Sequence, residues 1–446
     1  MNSIFFKISC LLQVIIYIWF FIFYINSFMA SYFSRLFSRP SQNYKPIDGI
    51  RAIAVLWVII FHTWLFQYND FTSVGEKIFE NPLLIWISKG DLGVDLFFVI
   101  SGFLIGSILF KEFKRSNRIN FKKFYTRRIL RLLPVYVFSM IIALYFLEGM
   151  GADRWTTAWS NLLYINNYVR GSYMGWTWSL AIEEQFYIVI PFLIAFIFPF
   201  FKRKRIPFVI LSLLTISFTY HYSVNIHDFK VPFKSSFLDE DWQNWFWEYY
   251  MLTHLRYGGL LCGVIGAYIN VYHQNQIKSF FDNKQQVSNF LFCLSVVIFI
   301  LISSISLGQW TNLKSSIFDG YDNNIPRIYE IIHREIFSYA VLFMIFCCLY
   351  SESKIVRPLN SFLSMKFFYP ISQISYSAYL FHEMFMFWFF PKFNDYALGS
   401  LSDTQIVLTN SLISIFAIII GSTLMYVCIE QPFQDIKEKL RFTDKK

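Results

Sequence analysis

IDGIRAIAVLWVIIFHTWLF, residues 47–66, places an arginine and a histidine inside a stretch otherwise apolar enough to cross a lipid bilayer. Ten residues separate Arg51 from His62. On an α-helix that interval is close to three turns, so the two side chains share a face and stand ~16 Å apart along the axis. Arg51 then lies near one end of the span and His62 deep within it. Ionisable groups at such depth are costly and face a bundle interior or a watered cavity, which makes an intramembrane histidine a functional candidate by default.

The rest of the chain agrees. Of 446 residues, 56% are hydrophobic and 15% charged, and the apolar residues gather in runs of about 20. This predicts an all-α polytopic integral membrane protein. A strand-built alternative needs a closed barrel with period-two alternation, which long unbroken runs do not show. About eleven transmembrane helices are expected, over 7–27, 47–66, 92–110, 134–147, 178–198, 207–220, 251–271, 287–306, 331–350, 371–390 and 406–430.

Lysine and arginine crowd into alternate connections: Arg35, Arg39 and Lys45; the run from Lys111 to Arg131; Lys202 to Arg205; Lys354, Arg357 and Lys366; and the tail from Lys437 to Lys446. The positive-inside rule makes these cytoplasmic, and with them the C-terminus. The net charge of +10 therefore reports topology, with attraction to anionic membrane lipids as a by-product, and gives no ground for nucleic-acid binding. The first apolar run is longer than a signal-peptide core and lacks a small-residue cleavage site, so it reads as a retained helix with its N-terminus outward. All six cysteines fall in apolar spans without metal-ligand spacing and read as small buried hydrophobes; no metal site and no disulfide framework is expected. Neither a phosphate-binding glycine loop nor an internal transporter-type repeat is present.

Six ordered segments carry a family resemblance: IDGIRAIAVLWVIIFH, GVDLFFVISGFLI, FYTRRILRLLP, WTWSLAIEEQFY, ISYSAYLFH and IEQPF. Together they resemble the membrane-bound acyltransferase-3 family, which acylates cell-surface glycans and some small molecules. The resemblance covers 44–433 and divides the chain into an extra N-terminal helix with its linker (1–43), an acyltransferase-3 membrane domain (44–433) and a basic cytoplasmic tail (434–446). It implies a stand-alone form, without the esterase-like domain that some relatives append, in a bacterial cytoplasmic membrane. It also implies acetyl-CoA as acyl donor, and an envelope glycan or lipid-linked saccharide as acceptor. The oligomeric state is not readable.

Acyl transfer from a thioester to a hydroxyl needs a base, a donor site and stabilisation of the tetrahedral intermediate. His62 is the candidate base, a role the family motif also implies; a histidine that only ties two helices fits the residues equally. Arg51 either snorkels to the headgroups or, given the resemblance, clamps Asp48 or binds the donor. Arg127, Arg128 and Arg131, at i, i+1 and i+4, can turn to one side below the membrane. They serve as topogenic charge or, as the resemblance implies, as forks for CoA phosphates.

Ser179, Glu183 and Tyr187 form a polar stripe at i, i+4 and i+8, with Glu184 about 100° away. Glu183 is thus the carboxylate expected to orient an imidazole, hold an acceptor hydroxyl or pair Arg51. Ser375, Tyr379 and His382 form a second stripe that lines the donor channel or ties helices. Gly102 and Gly106 have close-packing spacing, and Asp91 and Asp95 either meet the acceptor or mark the interface. Trp242, Trp245 and Trp247 are an aromatic belt or a platform for sugar rings. The expected activity is transfer of an acyl group, foremost acetyl, from cytoplasmic acyl-CoA to an outward hydroxyl. The rival is export of a glycan precursor or acylated metabolite through a polar helical bundle.

Overall fold

The computed structural model describes residues 30–40, 44–68, 70–75, 81, 83–146, 156–201, 203–225, 244–305, 324–397 and 400–440. The span expected at 7–27, Cys10 and Trp242 lie outside them. In lipid every backbone polar group must be satisfied within its own segment, and the apolar runs accordingly become helices. They are α1 (Lys45–Tyr68), α2 (Leu92–Ser116), α3 (Phe121–Phe146), α4 (Trp178–Phe192), α5 (Ile206–Asn225), α6 (Gly258–Tyr272), α7 (Gln274–Asn283), α8 (Gln285–Ser304), α9 (Asn324–Tyr350), α10 (Arg357–Leu363), α11 (Phe368–Ala397), α12 (Asp403–Met425) and α13 (Gln431–Lys439). No strand occurs among the described residues. The protein is an all-α polytopic membrane protein.

Among the described residues, six helical stretches are long and apolar enough to cross a membrane: Lys45–Tyr68, Leu92–Ser116, Gly175–Phe200, Gln285–Ser304, Ile328–Tyr350 and Asp403–Lys439. Ile206–Tyr220 and Gly258–Tyr272 are apolar but shorter. α3 and α11 have the length, 26 and 30 residues, but carry polar groups that the site uses. The span expected at 251–271 starts instead at Gly258, because Thr253–Arg256 forms a separate turn and buries Arg256 against Asp95. At the other end no break falls at Phe433. The helix runs on through α13, where Asp435 accepts hydrogen bonds from Tyr32 and Arg35, each at 2.9 Å.

Burial sorts the helices. In the most apolar stretches of α2 and α1, 78% and 67% lie inside the bundle, against 28% in α8, so α1 and α2 are central and α8 peripheral. α2 lies along α6 so closely that backbones touch. A Cβ added at Gly102 would stand 2.0 Å from the Leu260 carbonyl oxygen, and one at Gly263 would stand 2.2 Å from that of Val99. This is close packing through small residues, as the glycine spacing predicts. α1 is held on its other side by α11, α10 and α12. The closing IEQPF segment joins in through Glu430, which accepts from Ser377 of α11 at 3.2 Å.

Of the cysteines, Cys262, Cys347 and Cys348 are buried, whereas Cys293 and Cys428 are exposed on helix faces, correcting the expectation for those two. An apolar lipid face suits a small hydrophobe as well as a core does.

Because a side chain at Gly102 has only backbone to displace, Gly102→Val is expected to lower the thermal midpoint of the detergent-solubilised protein by several degrees. Overpacking of this kind costs about 1–3 kcal/mol. An unchanged midpoint would mean that α2 and α6 do not meet there.

Candidate active site

Two cavities lie back to back in the bundle, one of 280 Å³ and one of 430 Å³, with Val94 and Tyr379 lining both. The smaller holds most of the expected site residues: Arg51, Arg128, Arg131, Ser179, Glu183, Tyr187, Ser375 and Tyr379. Lys111 adds a further cation to its wall. Lined by cations from the basic connections, it is called here the inner cavity. The larger, outer cavity holds His62.

Several expected pairings are replaced. Arg51 donates to Ser375 Oγ at 3.1 Å, while Asp48 is taken by Arg39 at 3.1 Å, both partners being nearly buried. The linker before α1 therefore supplies the clamp on Asp48 that was one of the roles open to Arg51. On α3, Arg128 and Arg131 turn into the inner cavity, one turn apart, and Arg127 is exposed outside it. Glu183 does line the inner cavity, accepting from Tyr187 one turn on, but it does not orient His62.

That role falls to Glu383, which the sequence reading did not single out. Its Oε1 lies 3.2 Å from His62 Nε2. The other ring nitrogen, Nδ1, lies 3.0 Å from the Val58 carbonyl oxygen and 3.2 Å from His382 Nε2. A carbonyl can only accept, so Nδ1 carries the proton of the neutral ring and Nε2 is left for proton exchange. His382 is fixed in the same way, its Nδ1 donating to the Tyr379 carbonyl at 2.7 Å. His382, expected either in the donor channel or as a tie between helices, lies fully buried behind His62 and lines neither cavity.

Nε2 of His62 and Oε1 of Glu383 are two acceptors. At 3.2 Å they are close enough for one proton to be shared between them. The dipeptide His382-Glu383 was the available signal. In an apolar helix two adjacent ionisable residues are doubly costly, and both reach the same imidazole.

Tyr379 stands between the two cavities and lines both. Its hydroxyl donates to the Trp176 carbonyl at 2.8 Å and accepts from Ser179 Oγ at 2.6 Å. Trp176 is itself held by its indole N–H on the Leu380 carbonyl, 3.2 Å away. The outer cavity beyond is walled by aromatic rings, Trp176, Trp178, Trp245 and Trp247 among them, with Asp91 in its lining. Asp91 and Asp95 are not free for an acceptor: Arg334 bridges both at 2.6 Å. The guanidinium groups of Arg334 and Arg256 also lie 5.0 and 4.7 Å from the Tyr250 ring, so the ion pairs brace the aromatic wall.

A family model described as "Acyltransferase domain", that of the acyltransferase-3 family, matches residues 44–428. The chain belongs to this acyltransferase family. Over 375 residues it is 30% identical to "O-acetyltransferase OatA" of Staphylococcus aureus (strain NCTC 8325 / PS 47), which covers 78% of this chain and 52% of the relative. It is 32% identical over 195 residues to "Peptidoglycan O-acetyltransferase OatA" of Listeria monocytogenes serovar 1/2a, covering 40% of this chain and 28% of the relative. The chain thus spans about half the length, or less, of these curated relatives. No solved structure matches.

His62, His382 and Glu383 each offer an atom within 4.8 Å of the others, a donor set that also suits a divalent metal. Here the two neighbours address different nitrogens of the His62 ring, His382 on Nδ1 and Glu383 on Nε2, which suits a hydrogen-bond relay better than a shared ion. Elemental analysis of purified protein is expected to find no stoichiometric zinc, and 1,10-phenanthroline to leave turnover intact. Stoichiometric metal lost together with activity would replace the relay by an ion.

Proposed function

We propose that this protein transfers an acyl group, foremost acetyl, from acyl-CoA on the cytoplasmic side to a hydroxyl of an envelope glycan on the outer side of a bacterial cytoplasmic membrane. The observation that carries this reading is a pair of cavities that share Val94 and Tyr379, with an imidazole–carboxylate pair lining the outer one. The inner cavity supplies Arg51, Arg128, Arg131 and Lys111, the charge a phosphate-bearing donor calls for. The outer one supplies flat aromatic faces, on which sugar rings pack. The names of the relatives agree with a glycan acceptor and with acetyl as the group moved.

In this mechanism the CoA moiety stays below, being polyanionic, and only its thin pantetheine arm rises past Arg51 toward Tyr379. For the thioester to meet His62, the Ser179–Tyr379–Trp176 latch must give way. The acceptor oxygen attacks the thioester carbonyl while its proton passes to Nε2 of His62. The C–O bond forms, the C–S bond breaks, and the imidazolium returns the proton to the departing thiolate, so that CoA leaves as the thiol. Glu383 stabilises the imidazolium while it exists. Ser375 holds Arg51, and Glu183 with Tyr187 lines the donor's path.

Positioned general-base catalysis contributes about 10²–10⁴ in rate. His62→Ala, expressed and folded as the wild type, is therefore expected to lose at least that factor in acyl transfer. Glu383→Gln keeps the shape but not the charge, and is expected to lower kcat by about 10²-fold with the donor KM little changed. Measured with acetyl-CoA and the isolated envelope glycan, retained turnover in His62→Ala would overturn the base assignment. A Glu383→Gln effect confined to KM would remove the carboxylate from the chemistry.

A further inference from the structure

A third cavity, of 560 Å³, opens beside the inner one and shares Tyr44 and Lys111 with it. It is formed where the cytoplasmic ends of α2, α6 and α9 meet the start of α7. Lys111, Lys114 and Arg115 of α2 line one wall, and Asn270, Gln274 and Tyr350 the other. No carboxylate is among its lining residues. Three cations are thus gathered within five residues of one helix end, and the space they line shares Tyr44 and Lys111 with the cavity assigned to the thioester.

Part of that charge has a structural duty. Lys114 donates to the Val271 carbonyl at 2.7 Å, near the end of α6, and lies over the Tyr272 ring. That duty does not account for the opposite wall. Tyr350 donates to the Asn270 side-chain oxygen, which fixes that amide, and Gln274 stands beside it. Cations for phosphate, two tyrosine rings for stacking and two amides for the edge of a base are the elements of a purine-nucleotide site. The volume lies within the range typical of ligand pockets.

We propose that this cavity binds the phosphorylated adenosine end of the donor, with Lys114 and Arg115 on its phosphates, while the pantetheine arm passes between Tyr44 and Lys111 into the inner cavity. The site rests on the acyl-CoA reading above and deepens it by separating the donor's two ends. Arg128 and Arg131, in the inner cavity, then meet the donor nearer its reactive end. An anionic lipid headgroup offers the same phosphate chemistry, but the wall shared with the inner cavity and the amide-bearing wall opposite favour the nucleotide.

The test compares two donors, acetyl-CoA and acetyl-pantetheine, which lacks the nucleotide, in wild-type protein and in Lys114→Gln and Arg115→Gln variants. All are reconstituted in nanodiscs of neutral lipid and, separately, of neutral lipid with an anionic lipid added. Each variant is expected to raise the KM for acetyl-CoA about tenfold, the loss of one charge-assisted hydrogen bond, without changing that for acetyl-pantetheine. Adenosine 3′,5′-bisphosphate is expected to compete with acetyl-CoA in wild type and about tenfold more weakly in the variants. Equal losses on both donors, no loss on either, or a loss that follows the anionic lipid would each overturn the nucleotide site. Wild-type protein that turns over neither thioester would overturn the acyl-CoA reading, and the site with it.

Discussion

Two proton acceptors facing each other across 3.2 Å inside a lipid-embedded bundle, His62 Nε2 and Glu383 Oε1, set the terms for the rest of the structure. Neither is tolerated in hydrocarbon without surroundings that hold it in place. Val58 and His382 fix one edge of the His62 ring, and the Tyr379 carbonyl fixes His382 in turn. The backbone of α11 therefore determines where the imidazole of α1 can stand. The tight contact of α2 with α6 and the enclosure of α1 by α10, α11 and α12 make that placement rigid.

Charge is unevenly spread around this centre. Arg51, Lys111, Arg128 and Arg131 line the inner cavity; the outer one has Arg170 but is mainly aromatic and draws its bracing from buried pairs of Arg334 and Arg256 with Asp91 and Asp95. The contrast suits a chemistry whose two substrates differ in kind, one carrying phosphates and the other hydroxyls. Between them stands a latch of two hydrogen bonds on the Tyr379 hydroxyl.

Much of this was legible in the sequence, because helical periodicity is a strong signal where polar residues are rare. Ser179, Glu183 and Tyr187 were grouped by spacing and do line one cavity, as do Arg51, Ser375 and Tyr379. What escaped were partnerships between distant helices. Arg334 with Asp91 and Glu383 with His62 join segments whose approach no local pattern encodes. Glu383 was hidden for a second reason: it adjoins His382, and side chains one residue apart ordinarily leave a helix about 100° apart. Here both reach His62, one at each nitrogen. Arg127 failed in the opposite sense, since sequence spacing allowed it to share a face that only Arg128 and Arg131 occupy.

The central claim is that a donor from below and an acceptor from above meet at one imidazole, and sealed proteoliposomes test it most directly. Acetyl-CoA labelled in the acetyl group is supplied only on the side bearing the basic loops, and the glycan acceptor only on the other. The account predicts labelled glycan on the far side while the membrane stays sealed to CoA. Label that appears only after both substrates are placed in one compartment would contradict it.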